Sequence, residues 1–242
     1  MRRRKRSSSW RSVEEIILPT IIVLAGLTLA GIEVFPIVLR VSTDDRRLDV
    51  RSLPEPTAFV RLGDLDVDVL PRSAWDARAP IRTVAPLGTP TRITVHHEGA
   101  KKFESTNLQV TARRIHSIQE YHQSTHGWSD IGYHLIVDRA GRAWEGRSLA
   151  TVGAHAGNRA TNLNNLGIML LGNYDLQQPS TEQRATLLVL LEGARRAWNI
   201  PKSQLFTHGE IRVAAGLGMT DCPGKNVAEI VKAFRDDKAG DE

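Results

Sequence analysis

Hydrophobic and polar positions change their spacing along the chain, and after residue 70 strand and helix patterns alternate. Short β-branched, alternating or continuous apolar runs predict strands at 92–97, 131–137, 142–145, 166–171 and 205–208. Apolar positions spaced i, i+3, i+4 or i+7 predict helices at about 107–124, 181–198 and 226–234. Strands and helices in this order predict an α/β fold, in which helices flank a mixed central sheet.

Two helix starts are marked by residues that commonly cap helices. Ser180 is followed three positions later by Gln183, the pattern of a capping box in which each side chain accepts from the other residue's backbone N–H. Asn226 precedes apolar residues at helical spacing, so we expect it to cap the last helix.

A long apolar run of a different kind lies near the N-terminus. The 24 residues from Ile16 to Leu39 contain a single charge, Glu33. As a helix rising about 1.5 Å per residue, this run would be roughly 36 Å long, enough to cross a hydrocarbon core of about 30 Å. Five basic residues at positions 2–6 predict that the N-terminus stays cytoplasmic. We therefore predict a basic cytoplasmic segment at 1–15 and a transmembrane signal anchor at 16–39.

The alternative for this run is a signal peptide that is removed. Thr28-Leu29-Ala30 offers a small-residue cleavage site after an apolar core. The apolar run continues for nine residues beyond Ala30, which favours an anchor that is retained. Both alternatives export the rest of the chain, so we expect the folded domain on the periplasmic or cell-wall side of the cytoplasmic membrane.

The chain after the apolar run divides by composition. Residues 40–69 are rich in charge and contain Pro54 and Pro56, which is typical of a linker. A weakly alternating stretch at 62–70 predicts a short edge strand. A domain at 70–235 and a charged tail at 236–242 follow, and we expect the protein to be a monomer.

The net charge of +5 (32 basic and 27 acidic residues) suggests nucleic-acid binding until the charge is located. The first 40 residues hold seven basic and three acidic residues, a net of +4, which leaves 25 minus 24, or +1, for the other 202. The basic excess is therefore terminal, and the composition excludes a basic groove for nucleic acid. The single cysteine excludes a disulfide scaffold.

Candidate metal ligands lie at the ends of predicted strands. A zinc hydrolase needs three ligands from His, Cys or carboxylate, and a fourth position open to water. The candidates are His96 or His97, His208 and Cys222. Strand alternation puts His97 on the apolar face and His96 on the polar face, so we take His96 as the ligand. We expect His97 to pack beside the site, and Glu98 to accept a proton or hold a ligand in place.

Several separate stretches resemble one family when taken together. They are PRSAWDAR (71–78), GWSDIGYHLIVDRAGRAWEGR (127–147), GAHA (153–156), LGIMLLGN (166–173), THGEI (207–211) and TDCPG (220–224). In this order they resemble the zinc-dependent N-acetylmuramoyl-L-alanine amidases of the peptidoglycan recognition protein and phage-lysozyme amidase type. The resemblance covers roughly residues 70–235, and it implies a Zn²⁺ cofactor and peptidoglycan as partner.

The resemblance also implies roles for individual residues. His96, His208 and Cys222 would bind zinc, and Tyr133 and Thr220 would take the two catalytic positions of the family. The polar loop after the GAHA stretch would line the substrate groove through His155, Asn158 and Asn162. One departure is the distance of fourteen positions from His208 to Cys222, longer than in the compact family version. A flexible loop at 214–219 can absorb this excess.

The expected reaction is hydrolysis of the amide between N-acetylmuramic acid and the L-alanine of the stem peptide. Tyr133 or His97 would carry the proton to the leaving amine, and the sequence leaves both open. The alternative function is a recognition module of the same fold that binds peptidoglycan without cutting it. Loss of the cysteine would indicate such a module, and Cys222 is present.

Overall fold

A computed structural model describes residues 59–62 and 65–237 of the 242. The predicted cytoplasmic segment, the predicted anchor and the first part of the predicted linker lie outside the described residues, as does most of the predicted tail. Among the helices in the described ranges, none is long and apolar enough to span a membrane.

One sheet runs through the described part of the chain. Its strands are β1 (Phe59–Leu62), β2 (Leu65–Leu70), β3 (Arg92–His97), β4 (Leu135–Val137), β5 (Ala143–Glu145), β6 (Asn165–Leu170) and β7 (Leu205–Thr207). Their spatial order is β1-β2-β5-β4-β6-β3-β7. The β1–β2 and β4–β5 pairs are antiparallel and the other pairs are parallel, so the predicted mixed sheet is confirmed.

Two of these strands lie within residues that the sequence assigned largely to a linker. Val69 of β2 pairs with Ala143 of β5, and its side chain is buried in the core. β1 then pairs with β2 at the outer side of the sheet. The expected single edge strand is therefore a pair of strands joined to the central sheet.

Five α-helices are found among the described residues. They are α1 (Leu108–Ser124), α2 (Arg159–Asn162), α3 (Thr181–Ala197), α4 (His208–Ala214) and α5 (Lys225–Asp236). The capping box of Ser180 and Gln183 is present at the start of α3. The prediction for Asn226 was wrong, because Gly224 occupies the N-cap of α5 and the Asn226 amide donates to the Gln177 carbonyl at 2.8 Å.

Each face of the sheet has its own apolar core. On one face, residues of α3 and α5 such as Leu187, Leu190 and Val227 pack on inward side chains of the strands. On the other face, Ile115 of α1 and Trp75 pack against the sheet. Both faces are covered, which explains why β6 reads as a continuous apolar run. The second face also holds the polar residues described next.

Candidate metal centre

His96 lies at the carboxyl end of β3, which runs between β6 and the edge strand β7. Its ring is fully buried and contacts the rings of His208 and Tyr133. His97 is on the opposite face, where its ring lies against Tyr174. The alternation that selected His96 over His97 therefore agrees with the structure.

His208 and Cys222 reach this point from a neighbouring strand and the loop that follows it. His208 is the first residue of α4, and the preceding Thr207 caps that helix in a capping box with Glu210. Because β7 pairs with β3, the start of α4 lies beside His96, and the two rings are 4.6 Å apart. The Sγ of Cys222 lies 3.7 Å from Nδ1 of His96.

The three side chains form a set of donors that fits zinc. One ligand atom from each of His96, His208 and Cys222 lies within 4.8 Å of the other two. Two imidazoles and one thiol are the three-ligand set of a catalytic zinc site with an open fourth position. Nε2 of His208 is buried and has no hydrogen-bond partner in the described ranges. A buried polar atom without a partner is costly unless another ligand satisfies it.

The electrostatics of the three groups also suit a cation. Burial, followed by the neighbouring histidines, lowers the pKa of His96 well below its usual value. Burial and then Arg212 lower the pKa of His208 to about 4, so both imidazoles are neutral and have a free lone pair at pH 7. Burial raises the pKa of the Cys222 thiol to about 12, so a thiolate needs a nearby cation to form at neutral pH.

Tyr133 and Thr220 border this centre. The ring of Tyr133 is partly buried and lies 5.1 Å from the ring of His96. Its hydroxyl makes no hydrogen bond to the part of the chain that is described, and burial raises its pKa, so the hydroxyl keeps its proton. Oγ1 of Thr220 accepts from the backbone N–H of Cys222 at 3.4 Å. The structure thus brings both predicted catalytic residues to the candidate ligands.

The three predicted groove residues have hydrogen-bond partners within the fold. Nδ1 of His155 is 2.9 Å from Nε2 of His96, and its ring is buried. The side chain of Asn158 caps α2. Oδ1 of Asn162 accepts from the backbone N–H groups of His155 and Ala156. Substrate contact by these residues stays a prediction.

His97 and Glu98 differ in how close they come to the ligands. Nδ1 of His97 accepts from the backbone N–H of Tyr174 at 3.2 Å, and its carbonyl oxygen is 3.9 Å from Sγ of Cys222. The Glu98 carboxylate forms an ion pair with Arg114 of α1. Its described partner is therefore a helix residue and not one of the candidate ligands.

Two residues near the site were not assigned these roles from the sequence. The contact of His155 with His96 joins positions 59 apart, and no local pattern predicts it. Arg212 follows His208 by four positions on α4, and its guanidinium donates to the Leu217 carbonyl in the longer loop. The i, i+4 spacing would indicate that Arg212 and His208 share a helix face, but α4 itself was not predicted.

A family model described as N-acetylmuramoyl-L-alanine amidase matches residues 86–225. Peptidoglycan-recognition protein SC2 of Drosophila melanogaster is 28% identical over 176 residues, which covers 72% of this chain and 90% of that protein. Peptidoglycan-recognition protein SC1a of the same species is 30% identical, covering 69% and 86%. The N-acetylmuramoyl-L-alanine amidase of Homo sapiens is 33% identical over 171 residues, but these are 28% of that protein.

Solved structures with the same fold include both recognition proteins and an amidase. Drosophila peptidoglycan recognition protein SD matches with a TM-score of 0.60 and 26% identity, covering 69% of this chain and 94% of that one. Peptidoglycan recognition protein LE in complex with tracheal cytotoxin matches with a TM-score of 0.59 and 27% identity, covering 68% and 92%. The amidase LysC of Clostridium intestinale gives 0.51 and 26%, covering 64% and 91%.

Proposed function

The chain belongs to the N-acetylmuramoyl-L-alanine amidase and peptidoglycan recognition protein family, and from this membership we propose that it is a zinc-dependent amidase. Its substrate would be peptidoglycan, cut at the amide between N-acetylmuramic acid and L-alanine. The observation that supports hydrolysis over binding alone is the convergence of His96, His208 and Cys222, with one ligand atom of each within 4.8 Å of the others. These three residues would hold the metal.

The residues around the ligands have separate tasks in this proposal. When bound, zinc would polarise the scissile carbonyl and lower the pKa of a water molecule. The Tyr133 hydroxyl, which stays protonated because burial raises its pKa, donates a hydrogen bond to the oxygen that gains charge. Oγ1 of Thr220 accepts from the N–H of Cys222, so its own hydrogen is free to be donated to substrate.

Tyr133 is the better of the two candidates for the proton that reaches the leaving amine. Its ring lies 5.1 Å from that of His96 on the ligand side of the sheet. The His97 ring lies against Tyr174 on the opposite face, where Nδ1 already accepts a backbone N–H. These contacts support Tyr133 for proton transfer, and a packing role for His97.

The alternative function is recognition of peptidoglycan without hydrolysis. The related protein LE was solved in complex with tracheal cytotoxin, a monomeric diaminopimelic acid-type peptidoglycan. A module that only binds does not require a thiol beside two histidines. Two features favour the enzyme. The Sγ of Cys222 lies 3.7 Å from Nδ1 of His96, and the Tyr133 hydroxyl has no hydrogen-bond partner in the described part of the chain.

We further propose that the amidase domain is held at the outer side of the cytoplasmic membrane by the apolar run at 16–39. The support is in the sequence: 24 residues with one charge, preceded by five basic residues at 2–6. The charged linker would let the domain work on wall close to the membrane.

The deciding experiment measures release of stem peptides from purified wall fragments. The full chain is assayed as isolated, after a chelator, and after zinc is restored, with Cys222→Ser as a matched variant. An amidase releases peptides that begin with L-alanine, loses the activity with the chelator and regains it with zinc. Binding of the fragments without release, at full zinc content, would support the recognition module instead.

A further inference from the structure

A short chain of hydrogen bonds runs from the candidate metal centre into the sheet. Nε2 of His96 is 2.9 Å from Nδ1 of His155, and Nε2 of His155 is 3.2 Å from the backbone carbonyl oxygen of Asn165. All three residues are buried. Asn165 is the first residue of β6, so the chain ends on the strand that pairs with β3.

The donors and acceptors along this chain can be assigned in order. A carbonyl oxygen only accepts, so the hydrogen of His155 is on Nε2. A neutral imidazole has one N–H, which makes Nδ1 of His155 an acceptor and Nε2 of His96 the donor to it. The remaining nitrogen of His96 is Nδ1, with its lone pair free. This is the nitrogen that lies 3.7 Å from Sγ of Cys222.

Asn165, where this chain of hydrogen bonds ends, is itself fixed by two side-chain hydrogen bonds. Oδ1 of Asn165 accepts from the Thr94 hydroxyl at 3.0 Å, and its Nδ2 donates to the Thr161 carbonyl at 2.7 Å. These bonds attach Asn165 both to β3 and to α2. The carbonyl that orients His155 is therefore part of the folded framework and not of a loop.

Two glycines make room for the His155 ring. A Cβ on Gly167 of β6 would come 2.6 Å from Cδ2 of His155. A Cβ on Gly153 would also collide with that ring. The ring thus fits between two backbone segments that admit no side chain, and this leaves it little freedom to rotate away from His96.

We propose that His155 is a positioning residue, which keeps the hydrogen of His96 on Nε2 and so directs the Nδ1 lone pair to the metal. Partners of this kind fix the tautomer and the orientation of a ligating histidine, and their loss typically costs about 10- to 100-fold in metal affinity. The inference rests on the metal site of the proposed function, but not on hydrolysis. It gives His155 a task within the centre that differs from contact with substrate.

The test uses His155→Phe, which removes the acceptor, and His155→Gln, which offers a side-chain oxygen as a replacement acceptor. His122→Phe is the matched control. His122 is also buried and accepts a backbone N–H through Nδ1, at 3.1 Å from Gly132, but contacts none of the three ligands among the described residues. Zinc affinity is measured on the full chain by competition with a chelator. The His96 tautomer is measured in zinc-free protein by nitrogen-15 NMR of labelled histidines.

We expect wild-type His96 to have its hydrogen on Nε2. Zinc affinity should fall about 10- to 100-fold in His155→Phe, recover in part in His155→Gln and stay unchanged in His122→Phe. Wild-type affinity in His155→Phe, or an equal loss in the control, would overturn the proposal. If His155→Phe does not fold, the wild-type tautomer decides, because a hydrogen on Nδ1 of His96 contradicts the assignment.

Failure of this inference can be told apart from failure of the proposed function. Neither readout involves substrate or turnover. A chain that binds zinc with the expected His96 tautomer but releases no stem peptide would refute the amidase and leave the role of His155 intact. An active zinc amidase whose zinc affinity is unchanged by His155→Phe would refute the role of His155 and leave the amidase proposal intact.

Discussion

The backbone N–H of Gly209 donates to the carbonyl oxygen of Cys222 at 2.9 Å, so the residue after one candidate ligand is bonded directly to another. This bond closes the fourteen-position segment from His208 to Cys222 at its base. The extra residues of the longer loop lie between the two ends and do not separate them. The family departure seen in the sequence is thus compatible with a complete ligand set.

This closure predicts the effect of Gly209→Ala. A Cβ at Gly209 would come 2.8 Å from the Thr220 carbonyl oxygen, so the Cys222 segment must move away from α4. Overpacking of this kind costs about 1–3 kcal/mol of stability, and we expect weaker zinc binding as well. The measurements are thermal unfolding and chelator competition. Ala214→Ser, at an exposed position in the same segment, is the control and should change neither.

Cys222→Ser should remove zinc and abolish release of stem peptides. A hydroxyl is a far poorer ligand for zinc than a thiolate, and it would stay protonated in this buried site. Metal content by elemental analysis and the wall-fragment assay check this. Full zinc occupancy in the mutant would refute the assignment of Cys222 as a ligand.

Tyr133→Phe should separate catalysis from binding. The hydroxyl has no partner in the described part of the chain, and its removal leaves the ring that packs beside His96. We expect kcat to fall by about 10²-fold, the usual cost of one donor to an oxyanion, with zinc content and KM nearly unchanged. Wild-type turnover would show that another group stabilises the transition state.

The free energy of unfolding of the domain should decrease in mild acid, because His134 is buried in its neutral form. Burial lowers the pKa of His134 to about 4, although the hydrogen bond between its Nε2 and the Thr151 carbonyl opposes this shift. Its Nδ1 accepts the Gly167 N–H at 3.0 Å. A folded-state pKa below the unfolded value stabilises the fold above pH 6.5, and this stability is lost as the pH falls toward 4. The shift corresponds to about 3 kcal/mol at most.

The His134 contribution can be isolated with His134→Gln. This side chain does not titrate, so its free energy of unfolding should depend less on pH between 6.5 and 4 than that of the wild type. Denaturant unfolding at several pH values gives the comparison. Parallel pH profiles for the two proteins would mean that His134 titrates alike in the folded and unfolded states.

The membrane proposal predicts the fate of the intact chain in cells. The full-length protein should sediment with membranes, and protease added to spheroplasts should digest the amidase domain. Replacing the five basic residues at 2–6 with neutral ones should scramble the orientation, since they are the main topological signal. A soluble mature chain that begins near Gly31 would instead indicate a cleaved signal peptide.

Local patterns in the sequence were sufficient for the elements that depend on neighbours along the chain. The alternation in β3 separated His96 from His97, because successive side chains of a strand point to opposite faces. Ser180 and Gln183 marked the start of α3, because a capping box joins residues only three positions apart. Cys222 and His208 could be named because each lies in a short characteristic string.

Relations between distant segments were decided by the tertiary structure. Gly224 is the N-cap of α5, and Asn226 lies inside that helix, where its amide donates to the Gln177 carbonyl, 49 positions away. β2 belongs to the sheet because Val69 pairs with Ala143 of β5 and buries its side chain in the core. His155 is hydrogen-bonded to His96, 59 positions away in the sequence. Its ring fits there because Gly153 and Gly167 have no side chains that would collide with it. A hydrogen bond between segments that distant depends on how the whole sheet assembles, and no local period encodes it.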